Sequence, residues 1–359
     1  MKKTKLIVKT KSKSYPIYFG NNILNTTGKL IKNNLPIVKK ICIISDNKLP
    51  KLLIKKLIKS LIKYELKVYK LPANEKTKSL KIANKIIEQL LKSNFNRSDC
   101  IIALGGGVLG DLSAFISNLT KRGLKFINIP TTLLAQVDAS IGGKTGINSI
   151  QGKNLIGTYY QPDFILSDIS ILKSLPQKEM ISGYGEILKH SLIFDKKFFL
   201  WLSKNGKKII NRKNNIFLKK AIVKSCKIKC KIVNKDEKEK DLRMILNFGH
   251  TFAHGFESAK NFSKKLTHGK AVLLGMMIAS ELSNKKKQLP LNELLLIKKH
   301  YLSLKLPMNI SKIFKKKELN KIIYFMKKDK KNIDEKINLI LLNKIGKTTK
   351  PKKFALNSN

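Results

Sequence analysis

Residues 99–111 read DCIIALGGGVLGD, and this stretch decides the fold class. Its first half is a short apolar run of the kind that forms a buried strand. The glycines that follow let the backbone approach a phosphate closely, and a helix that starts after them offers free N–H groups to an anion. Gly105, Gly107 and Gly110 fit the dinucleotide fingerprint only with an additional glycine between them. Alone, the stretch is typical either of a nucleotide-binding turn or of a plain tight turn.

The flanking sequence favours nucleotide binding. Strand-like runs alternate with segments whose apolar residues recur at helical spacing. The strand-like runs are KICIIS (40–45), LKVYKL (66–71) and KFINIP (125–130), and the helical segments are 49–62 and 80–91. Strands that alternate with helices of this length indicate a parallel sheet with crossover helices. We therefore predict an α/β, Rossmann-like, nucleotide-binding domain over residues 1–168.

The pattern changes after residue 168. Long helical segments follow one another, and only KINLILL (336–342) resembles a strand. The helical segments are 178–193, 215–235, 248–260 and 270–286. At 359 residues the chain also exceeds the usual size of one hydrophobic core. We expect a second, mostly α-helical domain over residues 169–359.

The cysteines and the apolar segments predict a cytoplasmic protein. The four cysteines form no CxxC pair, so they are expected to be buried, reduced thiols. The N-terminal sequence MKKTKLIVKTKSKSYPIYFG contains no apolar segment of a secretory signal. The run AVLLGMMIAS (271–280) is too short to span a membrane.

The charge is unusual, with 74 Lys and Arg against 23 Asp and Glu and a formal net charge of +51. Such a balance suggests a nucleic-acid partner. However, only four of the cations are arginine, the side chain favoured for base reading and bidentate phosphate contacts. The lysines are spread over the whole chain among many Ile and Asn residues, which indicates a bias toward A/T-rich codons. We expect only non-specific, salt-sensitive binding to nucleic acid.

A second glycine-rich stretch, residues 130–157, reads PTTLLAQVDASIGGKTGINSIQGKNLIG. It places Thr131, Thr132, Lys144, Lys153 and Asn154 among five glycines. Polar side chains beside so many glycines are typical of a loop that wraps a small charged ligand. Lys144 and Lys153 differ from the other lysines in this glycine context, because elsewhere lysines lie on ordinary solvated helix faces.

Three of the five histidines collect in RMILNFGHTFAHGFE (243–257) and LTHGKAV (266–272). His250 and His254 stand four apart on one helix face and could share a metal. A zinc protease is disfavoured because Thr251 stands where HExxH has its glutamate. A carboxylate would complete such a site, and SGYGEILKH (182–190) offers Glu186. Two histidines without a metal remain an equally open alternative at this point.

Four motifs carry a resemblance to a known family: GGGVLGD (105–111), RGLKFINIPTTLLAQVDASIGGKTGIN (122–148), GKNLIG (152–157) and LNFGHTFAHGFE (246–257). In this order and spacing, from about residue 73 to residue 331, the chain resembles the 3-dehydroquinate synthases, sugar-phosphate cyclases of the shikimate pathway. The resemblance implies that Glu186, His250 and His268 bind a divalent metal, zinc or cobalt, and that His254 faces the substrate.

The resemblance also implies an NAD site and a set of substrate-binding residues. The NAD site would comprise Asp46, Glu75, Lys78, Gly106, Gly107, Val108, Leu109, Gly110, Asp111, Thr131, Thr132, Lys144, Lys153, Ile171, Leu172, Lys173 and Ser174. The catalytic residues at the substrate would be Lys144, Lys189, Lys229, Arg243, Asn247 and His254, with Arg122, Asn154, Lys330 and Lys331 as further substrate contacts. The cleft between the two domains is the expected active site.

The implied reaction converts 3-deoxy-D-arabino-heptulosonate 7-phosphate into 3-dehydroquinate and phosphate. NAD oxidises a hydroxyl transiently and is restored, and an aldol step closes the ring. A homodimer is implied as well. Three alternatives remain: a metal-dependent polyol or alcohol dehydrogenase, a sibling cyclase that acts on a different heptulose, and a basic nucleic-acid-binding protein. The paired lysines of GGKTGIN and GKN disfavour the first, and Arg243 and Asn247 disfavour the second. The third does not explain the glycines and histidines.

Overall fold

The computed structural model describes residues 4–212, 215–260, 266–327 and 337–356. The chain forms two compact units, Met1–Leu175 and Pro176–Asn359. The division falls a little beyond residue 168, because the 3₁₀ helix Ile169–Ser174 belongs to the first unit.

The first unit is built on a seven-stranded sheet, and six of the strands run parallel. The strands of this unit are β1 (Thr4–Lys9), β2 (Ser14–Gly20), β3 (Lys40–Asp46), β4 (Glu65–Leu71), β5 (Cys100–Gly105), β6 (Lys125–Pro130), β7 (Lys144–Ser149), β8 (Gly152–Tyr159) and β9 (Phe164–Asp168). The order in the sheet is β1-β2-β9-β6-β5-β3-β4, and only β1 pairs antiparallel with its neighbour. The predicted parallel sheet is therefore confirmed.

Helices cover both faces of this sheet. They are α1 (Thr27–Asn34), α2 (Lys51–Ser60), α3 (Leu80–Lys92) and α4 (Gly107–Leu119). Alternate residues of each strand point to opposite faces. Ile41 and Ile43 of β3 accordingly pack with α1 and α2, whereas Cys42 and Ile44 pack with α3 and α4. Burial on both faces explains why these strands read as continuous apolar runs.

The strand order gives this unit a topological switch point. From β3 the chain moves outward to β4, and it then returns to place β5 on the other side of β3. In open α/β sheets, ligands bind beyond the carboxyl ends of the strands at such a point. Asp46 ends β3 and the glycine turn follows β5, so both border the switch point.

The glycine-rich stretch 130–157 differs from the predicted loop. Part of it is an antiparallel hairpin, in which β7 pairs with β8 from Lys144 opposite Tyr159 to Ser149 opposite Gly152. The two strands are so close at Gly157 that a Cβ there would lie 2.2 Å from the carbonyl oxygen of Thr145. The glycines therefore serve strand pairing here as well as loop flexibility.

The second unit is mostly helical, as predicted. Its helices are α5 (Gln177–Phe194), α6 (Lys196–Ile210), α7 (Asn215–Lys235), α8 (His250–Ala259), α9 (His268–Lys285), α10 (Leu291–Ser303) and α11 (Leu319–Lys327). Short strands near the end, β10 (Ile337–Leu339), β11 (Leu342–Lys344), β12 (Lys347–Thr348) and β13 (Phe354–Leu356), form two small two-stranded sheets. The single strand expected over 336–342 thus divides between β10 and β11.

The four cysteines are buried, as expected from the sequence. Cys42, Cys100, Cys226 and Cys230 are buried and form no disulfide bond. Burial raises the pKa of the Cys100 thiol, which keeps it protonated and unreactive. Among the described residues, no helix combines the length and the apolar character needed to cross a membrane.

Candidate active site

The glycine turn after β5 presents the N-terminus of α4 to the carboxyl edge of the sheet. Gly106 occupies the N-cap position, and Gly107 begins the helix. A Cβ on Gly106 would lie 3.1 Å from the side chain of Thr132, and a Cβ on Gly107 would lie 3.2 Å from that of Ala139. Larger residues would therefore crowd the turn. The N–H groups of the first helical turn have no partners within the helix, so they can bind an anion such as a pyrophosphate.

The residues predicted to bind NAD lie at the carboxyl ends of the parallel strands. Asp46 ends β3, Glu75 and Lys78 follow β4, Thr131 and Thr132 follow β6, and Ile171–Ser174 lie in the 3₁₀ helix after β9. Val108, Leu109, Gly110 and Asp111 lie in the first part of α4, and Lys153 lies on β8. The parallel topology thus brings distant parts of the sequence to one edge of one sheet.

Lys78 connects the helix of the glycine turn with the hairpin. Its side chain is almost fully buried, and Nζ donates hydrogen bonds to Asp111 Oδ2 at 2.6 Å and to Asn154 Oδ1 at 2.5 Å. Asn154 adopts a left-handed φ of 55°, a conformation that asparagine tolerates better than most residues. A predicted NAD contact and a predicted substrate contact are therefore linked by one ammonium group.

Asn148 is a second link that sequence reasoning missed. Its Nδ2 donates to Glu75 Oε2 at 2.8 Å, and its Oδ1 accepts from the Asn154 backbone N–H at 3.0 Å. Lys153 Nζ lies 3.6 Å from Glu75 Oε1. The only sequence signal for Asn148 is its position at the end of GGKTGIN, between glycines.

Lys144 and Arg122 complete the predicted residues of the first unit. Lys144 begins β7 and lines a small pocket together with Gly110, Asp111 and Ser140. Arg122 ends a short 3₁₀ helix after α4 and has a left-handed φ of 61°. Among the described residues, Arg122 forms no hydrogen bond or ion pair with the other predicted site residues.

In the second unit, glycines allow three helices to meet at the residues predicted to bind a metal. A Cβ on Gly269 would lie 2.3 Å from the Cα of Ser182, so the start of α9 packs directly against α5. Gly249, with a φ of 78°, caps α8 and lies against Met276 and Gly275 of α9. His250 and His268, the first residues of α8 and α9, are thereby held near Glu186 of α5.

Glu186, His250 and His268 form a group that can hold a metal ion. Each offers one ligand atom, and these atoms all lie within 4.8 Å of one another. His250 Nε2 is 3.6 Å from Glu186 Oε1, and the rings of His250 and His268 have centroids 5.6 Å apart. His254 is outside this group, although its ring centroid lies 5.9 Å from that of His250. The pair His250–His254 suggested by spacing is thus not the group that the geometry favours.

The donor chemistry fits a divalent metal. One carboxylate and two imidazoles are typical of zinc and cobalt sites that leave a coordination position open. Among the described residues, the buried Glu186 Oε2 accepts no hydrogen bond of normal geometry, although the Lys189 ammonium lies against it. His250 Nδ1 lies 3.4 Å from the carbonyl oxygen of Phe248, which leaves Nε2 directed at Glu186. A metal would satisfy both groups.

The carboxylates affect the protonation of His268. Burial lowers the pKa of this imidazole, but the hydrogen bond to Glu257 and the charges of Glu257 and Glu186 outweigh burial, so the pKa is raised above its ordinary value. Without metal, His268 therefore retains its proton to higher pH than a free histidine. A metal that binds His268 must displace that proton.

Buried cations surround this region on elements that pack together. Lys189 of α5, Lys229 of α7 and Arg243 of the 3₁₀ helix Leu242–Asn247 are each no more than 5% exposed. α5 packs against both other elements. Arg243 Nη1 donates to the carbonyl oxygen of Glu237, and Asn247 Nδ2 donates to Glu239 Oε1 at 2.8 Å. Buried cations favour an anionic ligand. The predicted contacts Lys330 and Lys331 lie outside the described residues.

Comparison with known proteins decides the family. The family models described as 3-dehydroquinate synthase N-terminal and C-terminal match residues 68–182 and 183–332. A 3-dehydroquinate synthase of Pelagibacter ubique is 53% identical over 342 residues, which cover 95% of this chain and 93% of the relative. The chain belongs to the 3-dehydroquinate synthase family. The family prediction made from the four motifs is therefore confirmed.

A second 3-dehydroquinate synthase, from Idiomarina loihiensis, is 39% identical over 334 residues, which cover 93% of this chain and 91% of the relative. Solved structures give the same fold. A 2-deoxy-scyllo-inosose synthase bound to carbaglucose-6-phosphate, NAD⁺ and Co²⁺ matches with a TM-score of 0.87 and 25% identity, over 99% of this chain and 96% of that one. An iron-containing alcohol dehydrogenase reaches a TM-score of 0.65 at 18% identity over 91% and 92%, which shows a shared fold alone.

Glu257 makes a contact in the second unit that was not predicted from the sequence. Its Oε2 lies 3.1 Å from His268 Nδ1. Glu257 stands two helical turns after His250, so both project from one face of α8. That spacing indicates a shared face, but it does not show that the carboxylate meets a histidine of another helix.

Proposed function

We propose that this member of the 3-dehydroquinate synthase family converts 3-deoxy-D-arabino-heptulosonate 7-phosphate into 3-dehydroquinate and phosphate. The observation that carries the proposal is the group Glu186, His250 and His268, whose ligand atoms lie within 4.8 Å of one another. It occurs in a chain that matches both family models over residues 68–332. The enzyme is thus a carbon–oxygen lyase that acts on a phosphate ester.

The metal site supports activation of a hydroxyl group. Glu186, His250 and His268 would hold zinc or cobalt and leave coordination positions for substrate. When bound, the metal supplies a Lewis acid that polarises the hydroxyl to be oxidised. Lys189, in contact with the Glu186 carboxylate, adds a positive charge beside this site.

The first unit supports binding of NAD. The turn at Gly106 and Gly107 and the N-terminus of α4 would hold the pyrophosphate, and Asp46 borders the same switch point. When bound, NAD would supply a hydride acceptor that is restored within the same turnover, so no net oxidation would result. The remaining NAD contacts proposed are Glu75, Lys78, Val108, Leu109, Gly110, Asp111, Thr131, Thr132, Lys144, Lys153, Ile171, Leu172, Lys173 and Ser174.

The positively charged side chains would bind a substrate that carries a phosphate and a carboxylate. Once the C5 hydroxyl is a ketone, the adjacent C–H is acidic, and loss of its proton expels phosphate. Positive side chains stabilise the leaving phosphate and hold the carboxylate through the later steps. We assign these roles to Lys144, Lys189, Lys229, Arg243, Asn247 and His254, with Arg122, Asn154, Lys330 and Lys331 as further contacts.

A comparison of substrates tests this function. Phosphate release is measured with the heptulosonate phosphate and with sedoheptulose 7-phosphate, which lacks the carboxylate. Because cations built for a carboxylate would be left unpaired, kcat/KM for the second substrate should be lower by more than about 100-fold. Glu186→Gln protein serves as the control for contaminating phosphatases. Equal or faster turnover of sedoheptulose 7-phosphate would instead assign the chain to a sibling cyclase.

Three further expectations accompany this function. The family resemblance implies a homodimer, which light scattering on the purified protein would test. The cytoplasmic setting remains a prediction from the sequence. The net charge of +51 predicts binding to nucleic acid without sequence preference, which should disappear as salt is raised.

A further inference from the structure

Glu257 is a buried carboxylate for which the proposed reaction gives no role. Its side chain is 9% exposed, and Oε2 lies 3.1 Å from Nδ1 of His268. It does not belong to the group of ligand atoms formed by Glu186, His250 and His268. A buried acid in contact with one of three metal-ligand residues needs a physical explanation, because an isolated buried carboxylate is costly.

The contact determines which nitrogen of His268 carries a proton. A neutral imidazole has one N–H donor and one acceptor nitrogen. A carboxylate accepts hydrogen bonds, so the proton is stabilised on Nδ1 and the lone pair is left on Nε2. Metal-bound histidines commonly donate their second N–H to a carboxylate or a backbone carbonyl, which fixes the ring and increases its basicity.

His250 shows the same arrangement with a different acceptor. Its Nδ1 faces the carbonyl oxygen of Phe248 at 3.4 Å, and its Nε2 faces Glu186 Oε1 at 3.6 Å. His268 begins α9 and is 38% exposed, and among the described residues no backbone carbonyl accepts a hydrogen bond from its ring. The Glu257 carboxylate accepts the hydrogen bond from His268 Nδ1 instead. Glu257 projects from the face of α8 that also carries His250.

We propose that Glu257 is a positioning residue that holds His268 with the proton on Nδ1 and Nε2 available to the metal. This inference rests on the metal site of the proposed function. A single helix, α8, then provides one ligand, His250, and the group that orients the other histidine. The second carboxylate also adds negative charge beside the cation, which strengthens its binding.

Metal affinity tests the proposal without reference to turnover. Metal-free protein is titrated with Co²⁺ and Zn²⁺ against a competing chelator, for the parent chain, Glu257→Gln and Glu186→Gln. Glu281→Gln is the matched control, because Glu281 lies on α9, pairs with Lys298 at 2.7 Å and is 46% exposed. We expect Glu257→Gln to bind both metals about 10–100-fold more weakly. The visible spectrum of bound Co²⁺ should keep its shape in Glu257→Gln and change in Glu186→Gln.

Three outcomes would overturn the proposal. Unchanged affinity in Glu257→Gln would show that the carboxylate does not support the ligand. A changed Co²⁺ spectrum in that variant would make Glu257 a ligand instead of a positioning residue. If the parent chain binds no metal, the metal site itself is wrong and the inference falls with it.

A measurement on the parent chain keeps the test valid if Glu257→Gln does not fold. With ¹⁵N-labelled histidine, the five imidazoles of the zinc-loaded protein can be assigned by NMR. We expect His268 to retain its proton on Nδ1 and to bind through Nε2. Coordination through Nδ1 would contradict the proposed role of Glu257.

Discussion

A Cβ atom on Gly275 would lie 2.1 Å from the carbonyl oxygen of Gly249, so α8 and α9 meet backbone to backbone. Gly249 is the cap of α8 and immediately precedes His250. The contact therefore fixes the position of His250, a proposed metal ligand, against the helix that carries His268, another proposed ligand. Small residues are required here by close approach and not by a turn alone.

Replacing Gly275 should damage both stability and metal binding. In Gly275→Ala the new methyl group meets backbone atoms that cannot rotate away, so we expect the free energy of unfolding to fall by about 2–3 kcal/mol. Metal affinity should fall with it, because His250 moves with the cap of α8. Urea denaturation and a Zn²⁺ titration measure the two effects.

Gly185→Ala is the matched control for this substitution. Its Cβ would lie 3.3 Å from the side chain of Leu273, which can shift. The loss of stability should therefore stay below about 1 kcal/mol. Equal losses in the two variants would contradict a specific backbone contact at Gly275.

Glu186 should contribute to stability as well as to metal binding. Glu186 and Lys189 are both 2% exposed and in contact, so Glu186→Gln leaves a buried ammonium without its counter-charge. We expect the metal-free protein to lose about 3 kcal/mol of unfolding free energy. Phosphate release should also fall by more than about 100-fold, because a ligand is lost. A variant that retained full activity would exclude Glu186 from the metal site.

Lys78 should couple the binding of NAD to the binding of substrate. Lys78→Met removes hydrogen bonds to Asp111 and Asn154, which belong to the two predicted sites. Loss of a charged hydrogen bond is expected to raise KM about 10-fold for NAD and for the sugar phosphate. Lys76→Met, an exposed neighbour in the same turn, should change neither constant. An effect on only one of the two constants would show that Lys78 does not couple them.

His300 should make the protein less stable in acid. This imidazole is buried, its Nε2 lies 2.9 Å from the Tyr184 hydroxyl, and burial lowers its pKa from 6.5 to about 4. Between these two pH values, His300 is therefore protonated in the unfolded chain and neutral in the folded chain. Stability is complete above pH 6.5 and declines as pH falls toward 4.

The expected loss is about 2 kcal/mol between about pH 7.5 and pH 5. Urea denaturation across this range measures it. His300→Gln keeps a hydrogen-bonding side chain but removes the titrating group, so its stability should depend less on pH. An equal pH dependence in parent and variant would assign the acid sensitivity to other residues.

The sequence was sufficient to predict the sheet because its strands are buried on both faces. Every residue in a run such as CIIAL is apolar and buried, and the glycine turn marks where the strand ends. The hairpin β7–β8 was predicted as a loop, because its glycines conceal the alternation that identifies a strand. Glycines in that hairpin permit close pairing, which sequence pattern alone does not distinguish from flexibility.

The candidate site was likewise predictable from the sequence only in part. Spacing within one helix pairs His250 with His254, whereas the geometry groups His250 with Glu186 and His268 from two other helices. Helix packing through Gly249 and Gly269 creates this grouping, and a helical period contains no information about it. The family resemblance supplied His268, but neither pattern nor resemblance pointed to the contact between Glu257 and His268.

The most direct test of the function is a simultaneous measurement of phosphate release and NADH. Metal-loaded protein is given the heptulosonate phosphate with NAD far below the substrate concentration. We predict that phosphate is released over many turnovers, that NADH does not accumulate, and that a chelator or removal of NAD stops release. NADH that rises in step with substrate consumption, or phosphate release that persists without NAD and metal, would contradict this prediction.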